Sequence, residues 1–145
     1  MSADRLGSTL QYLLEVGERR GAGYLTLLDP DRLSLTQLEE RAVMCAEAGA
    51  DAILVGTSLM LSTAKNASVF QRLREVVDMP VISFPGDAGQ VVPTADAIFF
   101  LSMISGRNPE LLIGQQVRAA PLLKEYGVEV ISTAYMLIES GSLTS

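Results

Sequence analysis

The chain contains no histidine, which excludes a Ser-His-Asp triad, a histidine metal site and a histidine general base. Cysteine occurs once, as Cys45, so neither an internal disulfide nor a paired-cysteine metal site can form, and the usage fits a cytoplasmic protein. Cys45 falls in a helical apolar pattern and reads as a buried thiol, not as a nucleophile. No apolar run reaches the roughly 18 residues of a membrane span, and the N-terminal segment patterns as an acid-bearing amphipathic helix, unlike a signal peptide. Basic residues are outnumbered, 11 Lys and Arg against 17 Asp and Glu, for a net charge of −6. That balance argues against nucleic acid or an anionic membrane surface as an electrostatic partner and leaves a divalent cation compatible. A Gly-rich dinucleotide fingerprint and a Walker loop are also missing.

What is present is apolar and punctuated. With 145 residues, 48% of them hydrophobic, residues 1–145 are expected to pack as a single domain. Residues 97–101, Ala-Ile-Phe-Phe-Leu, are apolar at every position, as in a parallel strand covered on both faces. They run into a small polar tip and a helix start at Asn108-Pro109, where Asn caps and Pro occupies the first turn. Strands are likewise expected over 24–28, 52–56, 80–84 and 128–134. The helices between them carry apolar stripes: Leu38, Ala42 and Cys45; Val69, Phe70, Leu73, Val76 and Val77; and Val117, Ala120 and Leu123. Thr36 and Glu39 are placed to form a capping box.

The alternation is that of right-handed βαβ units, hence an α/β fold. One link breaks it. Between Phe84 and Ala97 lie twelve residues that include Pro85, Gly86, Gly89 and Pro93, too few and too broken for a crossover helix. A non-helical segment is expected there. Ala-Asp-Ala-Ile enters the strands at both Ala50 and Ala95, an echo that fits repeated βα units. Five strands suit an open parallel sheet, or part of an eight-stranded barrel, which usually takes about 250 residues.

Chemistry in such folds gathers where the strands end. Those positions hold Asp29 and Asp31, then Thr57 and Ser58, then Pro85-Gly86-Asp87, then 102–108, then Tyr135 and Glu139. Alone, Asp29-Pro30-Asp31 reads as a turn whose acids cap the next segment, and Thr57-Ser58 as turn residues. Together, an acid and a hydroxyl on adjacent strand ends suit a diphosphate-bound Mg²⁺, which takes few carboxylates and several other oxygens. Pro85-Gly86 permits close backbone approach to a ligand or simply makes a tight turn. Arg107 is either an anion contact or a surface arginine beside the Asn108 cap.

In order and spacing, these motifs resemble one family. They are Leu28-Asp-Pro-Asp31, Gly49-Ala-Asp-Ala-Ile-Leu-Val-Gly56, Phe84-Pro-Gly86, Ala95-Asp-Ala-Ile-Phe-Phe-Leu-Ser102, Arg107-Asn-Pro109 and Thr133-Ala-Tyr135. The family is that of the geranylgeranylglyceryl phosphate synthases, including the heptaprenylglyceryl phosphate branch. The resemblance implies a modified TIM (β/α)8 barrel whose third helix is replaced by a non-helical segment, with this chain covering about the first five strands. It implies Mg²⁺ as cofactor, held by Asp29 and Ser58, with Tyr135 and Glu139 at the reaction centre. Pro85, Gly86, Arg107, Asn108 and Leu111 become substrate-binding positions.

The activity implied is prenyl transfer from a long prenyl diphosphate to the C3 hydroxyl of sn-glycerol 1-phosphate, forming an ether lipid precursor in a homo-oligomer, a dimer or hexamer. The chain departs from the family at Arg32, where Lys is frequent, at Thr57, where a second glycine is frequent, and at Leu111, where an aromatic is frequent. The repeated double-aspartate motif of chain-elongating prenyl transferases is absent. Residues of the glycerol-phosphate site, expected after strands six to eight, have no counterpart, so the chain resembles the N-terminal three-fifths of the enzyme. Two alternatives stand beside this: a non-catalytic fragment that at most binds Mg²⁺ or diphosphate, and another phosphate-binding TIM-barrel enzyme.

Overall fold

The computed structural model describes residues 6–56 and 63–138. Helix α1 spans Ser8–Arg20, followed by strand β1, Leu25–Leu28, helix α2, Leu35–Glu47, and strand β2, Ala52–Val55. Helix α3, Thr63–Val76, leads to β3, Val81–Ser83, and a 3-10 turn over Ala88–Gln90 precedes β4, Ala97–Met103. A π-turn, Glu110–Gly114, runs into helix α4, Gln115–Tyr126, and β5 closes the described fold at Glu129–Tyr135. All five strands are parallel and lie in chain order, β1-β2-β3-β4-β5. The link between β3 and β4 holds no α-helix, as its Pro and Gly content requires.

Over β2, β3 and the first half of β4 both faces of the sheet are apolar and covered, the reason these strands read as continuous hydrophobic runs, while Leu27 of β1 and Val130 of β5 stay exposed at its edges. On one face Leu28, Ile53, Val55 and Val81 pack against Leu38 and Ala42 of α2 and Val69, Phe70 and Leu73 of α3. The opposite face presents Ala52, Ile82, Ala97, Phe99 and Ile131, against which Leu10 and Leu13 of α1 pack. A third cluster joins Ile98 to Ala119 and Leu123 of α4 and to Val91 of the link. Cys45 is half-buried against the first cluster.

The structure corrects three local expectations. The capping box of α2 is made by Ser34 and Gln37, not Thr36 and Glu39: Ser34 Oγ accepts from Gln37 N–H at 3.3 Å, and Gln37 Oε1 accepts from Ser34 N–H at 2.9 Å. The helix starts one residue before Thr36, so the earlier hydroxyl occupies the cap. The buried side of α4 is Gln116, Ala119 and Leu123, with Val117 65% exposed. A polar residue there hides the true stripe from a hydropathy pattern. In α3, Val76 is at the exposed margin while Val69, Phe70, Leu73 and Val77 are buried.

Strands β4 and β5 outrun their neighbours. Their pairing continues from Ala97↔Glu129 to Met103↔Tyr135, whereas β3 meets β4 only at Ala97 and Ile98. This overhang carries Met103 and Tyr135 beyond the end of β3 at the C-terminal edge of the sheet.

Candidate active site at the strand ends

The C-terminal edge begins with Asp29. The residue follows β1 directly, and its side chain is 29% exposed. Asp29 Oδ1 accepts the Asp31 backbone N–H at 2.9 Å, and Oδ2 faces Arg32 Nε at 3.3 Å. Arg32 is 84% exposed, so this pair contributes about 0–1 kcal/mol and opens readily to another cation. Beside it, Gly56 ends β2 in a close crossing: a Cβ there would stand 2.6 Å from the carbonyl oxygen of Phe84. Only glycine lets the chain leave β2 past β3 at that distance.

Among the described residues, no three acidic or cysteine side chains gather into a metal cluster. A cation at this edge would rest on no more than two carboxylates of the described residues and on oxygens of its ligand. Mg²⁺ adopts such an arrangement with phosphate substrates, so the donor chemistry of Asp29 fits it. Ser58, the expected hydroxyl ligand, lies outside the described residues, as does Thr57.

A cavity of about 140 Å³ opens between the tips of β3, β4 and β5 and helix α4. Phe84, Phe99, Leu101, Met103, Leu111 and Tyr135 form its apolar wall, and Pro85 and Gly86 its rim. Phe84 organises the aromatic part. Its ring stands edge-to-face with Tyr135 at 5.4 Å and with Phe99 at 6.4 Å, the geometry favoured by ring quadrupoles. The rim is fixed by polar contacts: Gly86 N–H donates to Gln90 Oε1 at 2.7 Å, and Ala88 N–H donates to Gln115 Oε1 at 2.8 Å. Gln115 thereby ties the non-helical link to α4.

Four of the expected positions, Pro85, Gly86, Leu111 and Tyr135, thus share one cavity. Asp29 stands on the same edge of the sheet but does not line that cavity. Arg107 is exposed beyond the tip of β4 and is not among the lining residues. Asn108 caps: its Oδ1 accepts from Glu110 N–H at 3.0 Å, and its carbonyl accepts from Leu111 and Leu112. Glu139 lies outside the described residues.

Sequence reasoning missed Phe84, Phe99 and Gln116. The phenylalanines read as ordinary strand residues until the register brings them beside Tyr135. Gln116 is 8% exposed, and its Nε2 donates to the Leu101 carbonyl and to Ser102 Oγ. Its Oε1 is buried with no hydrogen-bond partner among the described residues, at a cost of about 1–3 kcal/mol. The available signal was a glutamine at helical spacing from Ala119 and Leu123.

A parallel α/β sheet in chain order, apolar on both faces and cupping a ligand-sized cavity at its strand ends, defines the barrel class of α/β proteins. Residues 15–145 match the PcrB family, and the chain belongs to that family. It is 44% identical over 122 residues to the geranylgeranylglyceryl phosphate synthase of Chitinophaga pinensis, covering 84% of this chain and 48% of that protein. The Flavobacterium johnsoniae protein of the same name is 44% identical over 135 residues, covering 93% and 55%.

Among solved structures, (S)-3-O-geranylgeranylglyceryl phosphate synthase from Thermoplasma acidophilum, in complex with its substrate sn-glycerol-1-phosphate, superposes with a TM-score of 0.81 at 30% identity. That match covers 94% of this chain and 54% of the other. The fold is therefore the first five strands of this barrel, with the non-helical link in place of its third helix. The chain spans about half the length of the relatives it matches.

Proposed function

We propose that the protein bearing this chain is a Mg²⁺-dependent prenyltransferase of the cytoplasm that joins a long-chain prenyl diphosphate to the C3 hydroxyl of sn-glycerol 1-phosphate. The observation that carries the reading is the apolar cavity ending at Tyr135, in a chain whose relatives at 44% identity are named geranylgeranylglyceryl phosphate synthase. An apolar wall with a polar rim suits a molecule that is hydrocarbon at one end and charged at the other.

In this reading the prenyl tail lies along Phe99, Leu101, Met103 and Leu111, and the diphosphate sits toward Asp29 and Ser58. Bound Mg²⁺ supplies charge neutralisation for the departing diphosphate. The allylic C–O bond breaks with its electron pair leaving on diphosphate, and the acceptor oxygen bonds to the allylic carbon. The Tyr135 ring, held by Phe84, faces the positive charge that develops there. Glu139 takes the proton released by the attacking hydroxyl. Assembly as a homo-oligomer belongs to this reading as what the family resemblance implies.

Replacing Asp29 by Asn in the full chain tests the metal assignment. Turnover is expected to fall at least about a hundredfold, as when a fixed charge facing the reacting group is removed. Undiminished ether formation by Asp29→Asn would overturn it.

A further inference from the structure

We propose that Gln116 and Ser102 form a brace that sets how deep an apolar tail enters the cavity. The inference rests on the transferase reading for the identity of the tail. Gln116 lies on the face of α4 that looks onto β4, buried in the cavity wall. Its amide orientation is fixed by the Leu101 carbonyl, which can only accept. The same Nε2 donates to Ser102 Oγ at 3.2 Å, and the Ser102 hydroxyl donates onward to the Leu112 carbonyl at 3.2 Å.

Leu112 belongs to the π-turn, the single wide turn before α4, in which Gln115 N–H reaches back to the Glu110 carbonyl. Such a turn holds one more residue than an α-turn and rotates its side chains relative to the helix that follows. The brace therefore pins the wide turn to the tip of β4. Leu111, beside Leu112, is what that turn delivers onto the cavity wall.

Packing alone does not account for a glutamine here. Leucine would fill an apolar wall without an orphaned amide oxygen, so Gln116 is read as a positioning residue for the turn. Once the brace is cut, the π-turn relaxes toward α geometry, Leu111 withdraws and the cavity lengthens.

The test compares kcat/KM for geranylgeranyl and heptaprenyl diphosphate in the full chain and in Gln116→Leu, Ser102→Ala and Ser102→Thr. In the first two variants the ratio is expected to move about tenfold toward the longer donor, the scale on which an apolar pocket discriminates chain length. Ser102→Thr keeps a hydroxyl and is expected to keep the wild-type ratio. Equal loss on both donors would show a merely structural role and overturn the brace. If Gln116→Leu fails to fold, Ser102→Ala, which removes one exposed-side oxygen, decides. Calorimetric binding of alkyl diphosphates of increasing length gives the same readout without turnover. An unmodified chain that transfers neither donor thus overturns the transferase reading while the binding series still decides the brace.

Discussion

Asp51 and Asp96 do the same job at two places in the sheet. Asp51 accepts the Tyr24 N–H at 2.8 Å and pairs with Arg20 at 2.6 Å. Asp96 accepts the Val81 N–H at 2.8 Å and pairs with Arg74 at 2.9 Å. Each thus satisfies a backbone donor at the start of the preceding strand and binds an arginine from the helix before it. The Ala-Asp-Ala-Ile echo is the trace of this device. The Tyr24 N–H, and after it the Arg20 guanidinium, hold the Asp51 carboxyl below its ordinary value of 3.8 against the opposing effect of burial. A lowered carboxyl pKa stabilises the fold above the unfolded pKa and loses that contribution as pH falls through the folded one. Melting temperature measured from pH 6 downward is therefore expected to drop in the acid range below about pH 4, and to drop less in Asp51→Asn, whose baseline is already lower. Parallel curves for the two proteins would contradict this role.

Among the helices, α1 is held from a distance. Glu129, the first residue of β5, accepts the N–H groups of Thr9 and Leu10 at 2.9 and 2.8 Å, capping a helix whose own Gly7 offers no side chain. A Cβ on Gly7 would stand 2.1 Å from the Glu129 side chain, so a larger residue there must push the glutamate out of its capping position. Glu129→Ala is expected to cost about 0.5–2 kcal/mol, as for a lost N-cap, and Gly7→Ala to destabilise as well by displacing the glutamate. Denaturant unfolding of both variants checks this; midpoints matching the parent chain would refute it.

Elements like β4 and the helix-free link were legible because their cause is local: an unbroken apolar run in one case, prolines and glycines in the other. The Glu129 cap was not, since its partners lie 119 and 120 residues away. The Gln116 face was misread because polarity there serves a hydrogen bond, not exposure. At the candidate site, the positions after each strand could be gathered by counting. That Arg107 stands clear of the cavity and Asn108 serves as a cap depends on how far β4 overhangs, which no spacing reveals.

For the molecule as a whole, two apolar layers and one cup divide the labour. The layer between sheet and α2–α3 gives the frame its stability: Leu73 is fully buried there, and Leu73→Ala is expected to cost about 2–5 kcal/mol without altering which donor is preferred. Thermal melting and donor kinetics together separate those effects. The opposite layer, under α1, shares Phe84, Phe99 and Leu101 with the cup at the strand ends, where the proposed chemistry is placed. The most direct measurement is ether formation from a prenyl diphosphate and sn-glycerol 1-phosphate by the full chain, with and without Mg²⁺. A prenylglyceryl phosphate ether is expected that disappears when the metal is chelated and returns when Mg²⁺ is restored. A folded protein that yields no ether from any prenyl diphosphate, or yields it equally under chelation, would contradict the transferase reading.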